Sequence, residues 1–252
     1  MEKKRNLPEL KKQKKDALQR LSIFLDILVD SNDEKQTSKA SKLCYWLNDW
    51  TTFLDFETQF TPLSLRRYKR GEIIKVHLGF NVGSEEGGLH YALVLDKNNA
   101  KSSPVITIIP FTSVKPQTDI GKLKRGSIFL GDEIYTSLNT KVITTNKYLE
   151  DEFDFIQGHI KQMGSNMSFM EQDRIKQKIE QIKSDLNLLN RMRKEVLNMK
   201  KGSIALVNQI TTISKIRIYD PKTDHDILSN IKLSNEKLDL IDAEIRKNFT
   251  NI

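Results

Sequence analysis

The strongest constraint on this chain is that its strand-forming segments fall into two sets separated by a long helical stretch. Glu72–Leu78, Tyr91–Leu95, Pro104–Ile109 and Gly126–Leu130 are short runs rich in Ile, Val, Leu and Tyr, joined by polar or glycine-bearing connections. The texture returns only at Ser203–Val207 and Ile213–Tyr219, the latter stopped by Asp220-Pro221. Neither set has enough strands for a stable sheet of its own. The expected solution is one small barrel-like sheet, built from both sets and interrupted by the helical residues between them.

Those residues carry their own pattern. Ile175, Ile179, Ile182, Leu186, Leu189 and Val196 follow a 4-3-4-3-7 spacing, with Arg193 in the gap. This stripe is expected to pack on the N-terminal helices or on a second subunit. The N-terminal helices are read from two further stripes, Ala17, Leu18, Leu21, Phe24, Leu25, Leu28 and then Ala40, Leu43, Leu47, Trp50, Leu54. The polar turn Asp30–Glu34 separates them and Thr61-Pro62 closes the pair. A last amphipathic helix, capped at Ser234, presents Leu238, Ile241, Ile245 and Phe249 on one face. The fold class is therefore α+β in four segments. Residues 1–66 form a helical hairpin, 67–131 the first part of the barrel, 132–200 a helical insertion, and 201–252 the second part with a C-terminal helix.

Composition narrows the function classes. A formal charge of +8 in 252 residues argues only weakly for a polyanionic partner. Lys3, Lys4, Lys11, Lys12, Lys14 and Lys15 read as a solvated helix face or as a phosphate-tracking one. One cysteine excludes an internal disulfide framework, and Cys44, beside an apolar stripe, reads as a buried thiol. The first twenty residues hold eight basic and three acidic side chains with no apolar core, and no run approaches a membrane span. A cytoplasmic protein without a membrane partner is expected.

Most catalytic and metal-binding motifs are missing from the chain. The chain lacks HExxH, CxxC, GxxxxGK[ST] and GxSxG, so no metal, cofactor or phosphate-loop chemistry is expected. His90 follows the Gly87-Gly88 loop and opens a strand, where an imidazole is either an ordinary turn residue or an acid–base group facing a substrate. Thr112 and Ser113 at one strand exit, with Asn208, Gln209, Thr211 and Thr212 after another, would line one rim beside residues 83–90 if both strands share a barrel. These groups suit phosphate oxygens and base edges, or plain turn chemistry.

Three ordered blocks resemble the PemK/MazF family of toxin endoribonucleases. The first is Lys69-Arg70-Gly71-Glu72-Ile73-Ile74 followed by Asn81 to Leu95, similar to the family's opening strand, glycine loop and next strand. The second is Pro110-Phe111-Thr112-Ser113, similar to its P-x-T-S exit, and the third lies in Gly202–Ile218, around Asn208-Gln209-Ile210-Thr211 and Arg217. The resemblance implies an SH3-like barrel acting as a homodimer, with single-stranded RNA as substrate and an antitoxin protein as partner. It also implies metal-independent cleavage, in which the 2′-hydroxyl attacks the adjacent phosphorus and leaves 2′,3′-cyclic phosphate and 5′-hydroxyl ends. An alternative is a non-catalytic RNA- or protein-binding module on the same barrel.

Carried over by position, the family's catalytic arginine falls on His90, with Tyr91 for the following proline, and its threonine falls on Thr112. Ser84 takes the Ser-or-His position of the glycine loop and Gln209 matches a glutamine. Asn208 stands where an acidic residue is frequent, and Thr211 where an arginine is usual. The resemblance thus implies His90 and Thr112 as catalytic residues. Ser84, Glu85, Ser113, Asn208, Gln209 and Thr211 would position substrate, with charge from Lys69 or Arg70.

Overall fold

The computed structural model describes residues 6–163 and 168–251, so Lys3 and Lys4 lie outside the described residues. The chain divides into two compact units, Met1–Thr58 and Gln59–Ile252.

The first unit is a pair of packed helices, α1 (Leu7–Val29) and α2 (Glu34–Glu57). Asn6 and Asp33 start them by accepting the amides of Glu9 and Lys35, which satisfies donors that a helix leaves open. The apolar stripes are only shallowly used. Leu28 and Ala40 are buried, while Leu18, Phe24, Trp50 and Leu54 stay exposed. Cys44 is exposed too, against expectation. Lys11, Lys12, Lys14 and Lys15 lie on the exposed surface of α1.

The second unit is organised by a sheet of seven strands: β1 (Ile73–His77), β2 (Leu89–Val94), β3 (Val105–Ser113), β4 (Ser127–Gly131), β5 (Ser203–Leu206), β6 (Thr211–Ser214) and β7 (Ile218–Asp220). The two sets of strands do join. β5 pairs antiparallel with β3 and β4, and β6 pairs with β3. The run Ile213–Tyr219, read as one strand, is broken by a short turn at Lys215–Arg217 into β6 and β7. β3 is longer than expected, because the chain stays extended through Pro110 to Ser113.

The expected barrel does not form. The strands follow an open path, β4-β5-β3-β2-β1-β7, with β6 attached to β3. Closure requires the two end strands to bond each other, and among the described residues β4 and β7 do not pair. β7 is three residues long, its ladder goes to β1, and the chain leaves it through Pro221. An SH3-like description therefore fails for this sheet, which is open and flanked by helices.

The sheet is buried on both faces. Ile73, Leu93 and Ile109 point into one cluster with Leu138 and Ile241, and their neighbours Ile74, Ala92 and Ile108 point into another with Tyr68 and Ile218. This is the period of two that a strand imposes. The first cluster receives α3 (Glu133–Met163) and α5 (Asn235–Phe249). α5 begins as expected, with Ser234 accepting the amide of Lys237.

α3 and α4 (Phe169–Asn198) pack on each other. The α4 stripe is satisfied in part here: Leu189 and Ile182, joined by Met192, pack against Leu149 and Val142 of α3, while Ile179 and Leu186 stay exposed. Lys141 fixes the base of this pair by donating to the carbonyls of Asp226, Ile227 and Ser229 at 3.1, 2.9 and 2.9 Å. Burial lowers the Lys141 pKa from its ordinary value.

Candidate active site

The site grows from the place where β2 and β3 part. Their ladder ends at Ala92↔Pro110, and beyond it β3 pairs with β5 through Phe111↔Ala205 to Ser113↔Ser203. A proline has no amide proton to extend a ladder, which suits this ending. His90 lies on β2 just past the last pair, and its Nδ1 is 2.9 Å from the carbonyl oxygen of Phe111. A carbonyl only accepts, so Nδ1 carries the proton and Nε2 is the ring nitrogen left for chemistry. The Glu86 carboxylate is 3.4 Å from the same Nδ1.

His90 lines a pocket of about 320 Å3 with Thr112, Ser113, Lys75, Tyr91 and Glu195. Thr112 and Ser113 arrive on β3, paired with Ile204 and Ser203 of β5. Glu195 arrives on the last turns of α4. Its Oε1 accepts from Lys75 Nζ at 2.5 Å and from the Tyr91 hydroxyl. The Lys75 ammonium also lies 5.3 Å from the centre of the Tyr91 ring. Burial and the Glu195 carboxylate raise the Tyr91 pKa, so its hydroxyl stays protonated.

A second pocket of about 630 Å3 is lined by Ser84, Glu85, Asn208, Gln209, Thr211 and Arg217 among others. Gln209 straps the glycine loop. Its Nε2 donates to the Ser84 carbonyl at 3.2 Å and its Oε1 accepts the Glu86 amide at 2.6 Å. Asn81 holds the Glu86 carbonyl from the other side at 2.6 Å. Two glycines are needed for this path. Gly88 sits at φ +90°, and a Cβ on Gly87 would lie 2.8 Å from the Gly79 oxygen. Arg217 donates to the carbonyls of His77 and Leu78, and burial lowers its pKa.

The structure thus gathers eight of the ten expected residues into two neighbouring pockets. His90, Thr112 and Ser113 line one, and Ser84, Glu85, Asn208, Gln209 and Thr211 the other. Lys69 and Arg70 line neither. Arg70 is bound to Asp242 and to the Leu95 carbonyl, and the Lys69 amide to Glu72. Leu95 and His90 are separated by about 17 Å at the rise of a β-strand. Sequence reasoning missed Lys75, Glu86, Tyr91 and Glu195. Glu86 had a local signal, four residues before His90 and next to the expected Glu85. Glu195 had none, since its place on the pocket depends on how α4 returns to the sheet. Among the described residues, no group of three or more His, Cys, Asp or Glu side chains is placed to hold a metal ion, and no helix is long and apolar enough to cross a membrane.

Comparison with known proteins bears on the middle of this architecture. No curated protein matches the chain. Residues 69–136 match the family model described as PemK-like, MazF-like toxin of type II toxin-antitoxin system. The match runs from just before β1 to the start of α3, so it contains Ser84, Glu86, His90 and Thr112. α1, α2, α4, α5 and strands β5 to β7 flank it, and Glu195 and Gln209 lie outside.

Proposed function

We propose that this protein is an endoribonuclease of the toxin type, cutting single-stranded RNA without a metal ion. The 2′-hydroxyl attacks the neighbouring phosphorus and the ends are a 2′,3′-cyclic phosphate and a 5′-hydroxyl. The reading needs RNA because DNA has no 2′-hydroxyl to attack with. The protein acts as a homodimer in the cytoplasm, within a toxin–antitoxin or phage-defence system whose antitoxin protein restrains it. The observation that carries the proposal is the His90 pocket, where an imidazole fixed through Nδ1 shares a small cavity with the hydroxyl of Thr112.

His90 serves as an acid–base group through Nε2, and Thr112 donates to a phosphate oxygen as charge develops there. The amides and hydroxyls of Asn208, Gln209, Ser84 and Thr211 hold the flanking nucleotide in the second pocket. End-labelled single-stranded RNA incubated with the full chain in EDTA is expected to give cyclic-phosphate products. His90→Ala is expected to slow this by about 100-fold or more, as for loss of a positioned acid–base group. Equal cutting by both proteins would remove His90 from the chemistry. RNA binding without cutting would make the protein a binding module instead.

A further inference from the structure

We infer that Glu195, delivered by the helical insertion, is a further catalytic residue: the general base that pairs with His90 as general acid. The inference rests on the endoribonuclease reading above. In-line displacement at phosphorus needs two proton movements in one passage, from the attacking 2′-oxygen and to the departing 5′-oxygen, and one imidazole performs only one of them. Among the described residues that line this pocket Glu195 supplies the one carboxylate, since Glu86 meets His90 at Nδ1 and lines the neighbouring pocket.

Its surroundings fit the task. Lys75 and Tyr91 both bond Oε1, which fixes the carboxylate while Oε2 takes no hydrogen bond from the described residues. The side chain is 17% exposed, like that of Lys75, so the pair is sheltered but reachable from the pocket. His90 is arranged for the opposite role. Its Nδ1 is held by the Phe111 carbonyl, with the Glu86 carboxylate 3.4 Å away, so Nε2 is the ring nitrogen that faces substrate and passes the proton.

The step balances. The bond from the 2′-oxygen to phosphorus forms as that hydroxyl's proton passes to the Glu195 carboxylate. The bond from phosphorus to the 5′-oxygen breaks as that oxygen takes the Nε2 proton of His90. One proton is gained and one is lost, with no change of oxidation state. When Glu195 becomes neutral, Lys75 loses its counter-charge, and its ammonium is then available to the phosphorane oxygens at the moment they carry most charge.

The test compares full-length wild type, Glu195→Gln and His90→Ala on two versions of one RNA whose cleavage site has been mapped. One version is ordinary and the other carries sulfur in place of the bridging 5′-oxygen, so its leaving group departs without a proton. Glu195→Gln is expected to lose about 100- to 10,000-fold on both substrates, whereas His90→Ala loses activity on the first and regains it on the second. A carboxylate-free variant, Glu195→Ala, is expected to recover part of its activity in added formate. Its binding of an RNA with a 2′-deoxy residue at the scissile position should match wild type, which separates chemistry from folding. Faster or unchanged cutting by Glu195→Gln would make the carboxylate an occluding or structural group and overturn the assignment. Recovery of Glu195→Gln on the sulfur substrate, or failure of formate on folded Glu195→Ala, would also overturn it. If wild type cuts neither RNA, the endoribonuclease reading itself falls, and this assignment with it.

Discussion

Ionisable side chains of Lys75, His90, Tyr91 and Glu195 crowd one pocket, whereas its neighbour, which holds Glu85, Glu86 and Arg217, adds amides and hydroxyls from Asn81, Ser84, Asn208, Gln209 and Thr211. Groups of the first kind move protons and offset charge, and groups of the second kind fix position without changing state. The supports differ as well. The His90 pocket has α4 as one wall, held by Leu189 and Met192 on α3. The Gln209 pocket is built from the sheet and the strapped glycine loop, with no part of α4. Under the proposed function, chemistry and recognition rest on separable structures.

The largest expected effect tests that separation through α4. Met192 is fully buried, so Met192→Ala should cost about 2–5 kcal/mol, the range for emptying a packed site. Thermal melting would report the loss, and hydrogen exchange should show it concentrated in α3 and α4 rather than in β1 and β2. Uniform loss of protection would join the two supports into one. Next in size, Thr112→Val should lower kcat by about 100-fold with little change in KM, as for removal of one transition-state donor. A rise in KM alone would move Thr112 to the recognition side. Gln209→Ala should do the reverse. Loss of its two bonds to the loop, at about 1 kcal/mol each, should raise KM by about 30-fold while kcat stays within threefold. The smallest effect is expected at Thr211, which is exposed on β6. Thr211→Val should alter stability by no more than about 0.5 kcal/mol, and single-turnover rates should agree within twofold.

The sequence made the strands legible where alternation and length agreed. β1, β2, β4 and β5 fall within two residues of the expected bounds. β3 runs to Ser113, past the expected end at Ile109, because a proline is tolerated where a ladder ends anyway. Closure into a barrel was not legible, since it depends on whether β4 and β7 meet. α3 starts at Glu133, and its first turns are buried by Ile134 and Leu138 in the sheet core. At the site, His90 and Thr112 stood out through local position. The bonds from Lys75 and Tyr91 to Glu195 link residues more than 100 positions apart, and only the folded insertion brings them together.

The insertion also sets an order in time. A ribosome makes His90 and Thr112 first, then α3 and nearly all of α4 before Glu195, and the whole of both before Asn208 and Gln209. At about 5–20 residues per second, that interval is on the order of ten seconds. During it β3 has neither β5 nor β6 to pair with, so the nascent chain holds half of each pocket. Under the proposed function, neither pocket is complete until the second set of strands has been made.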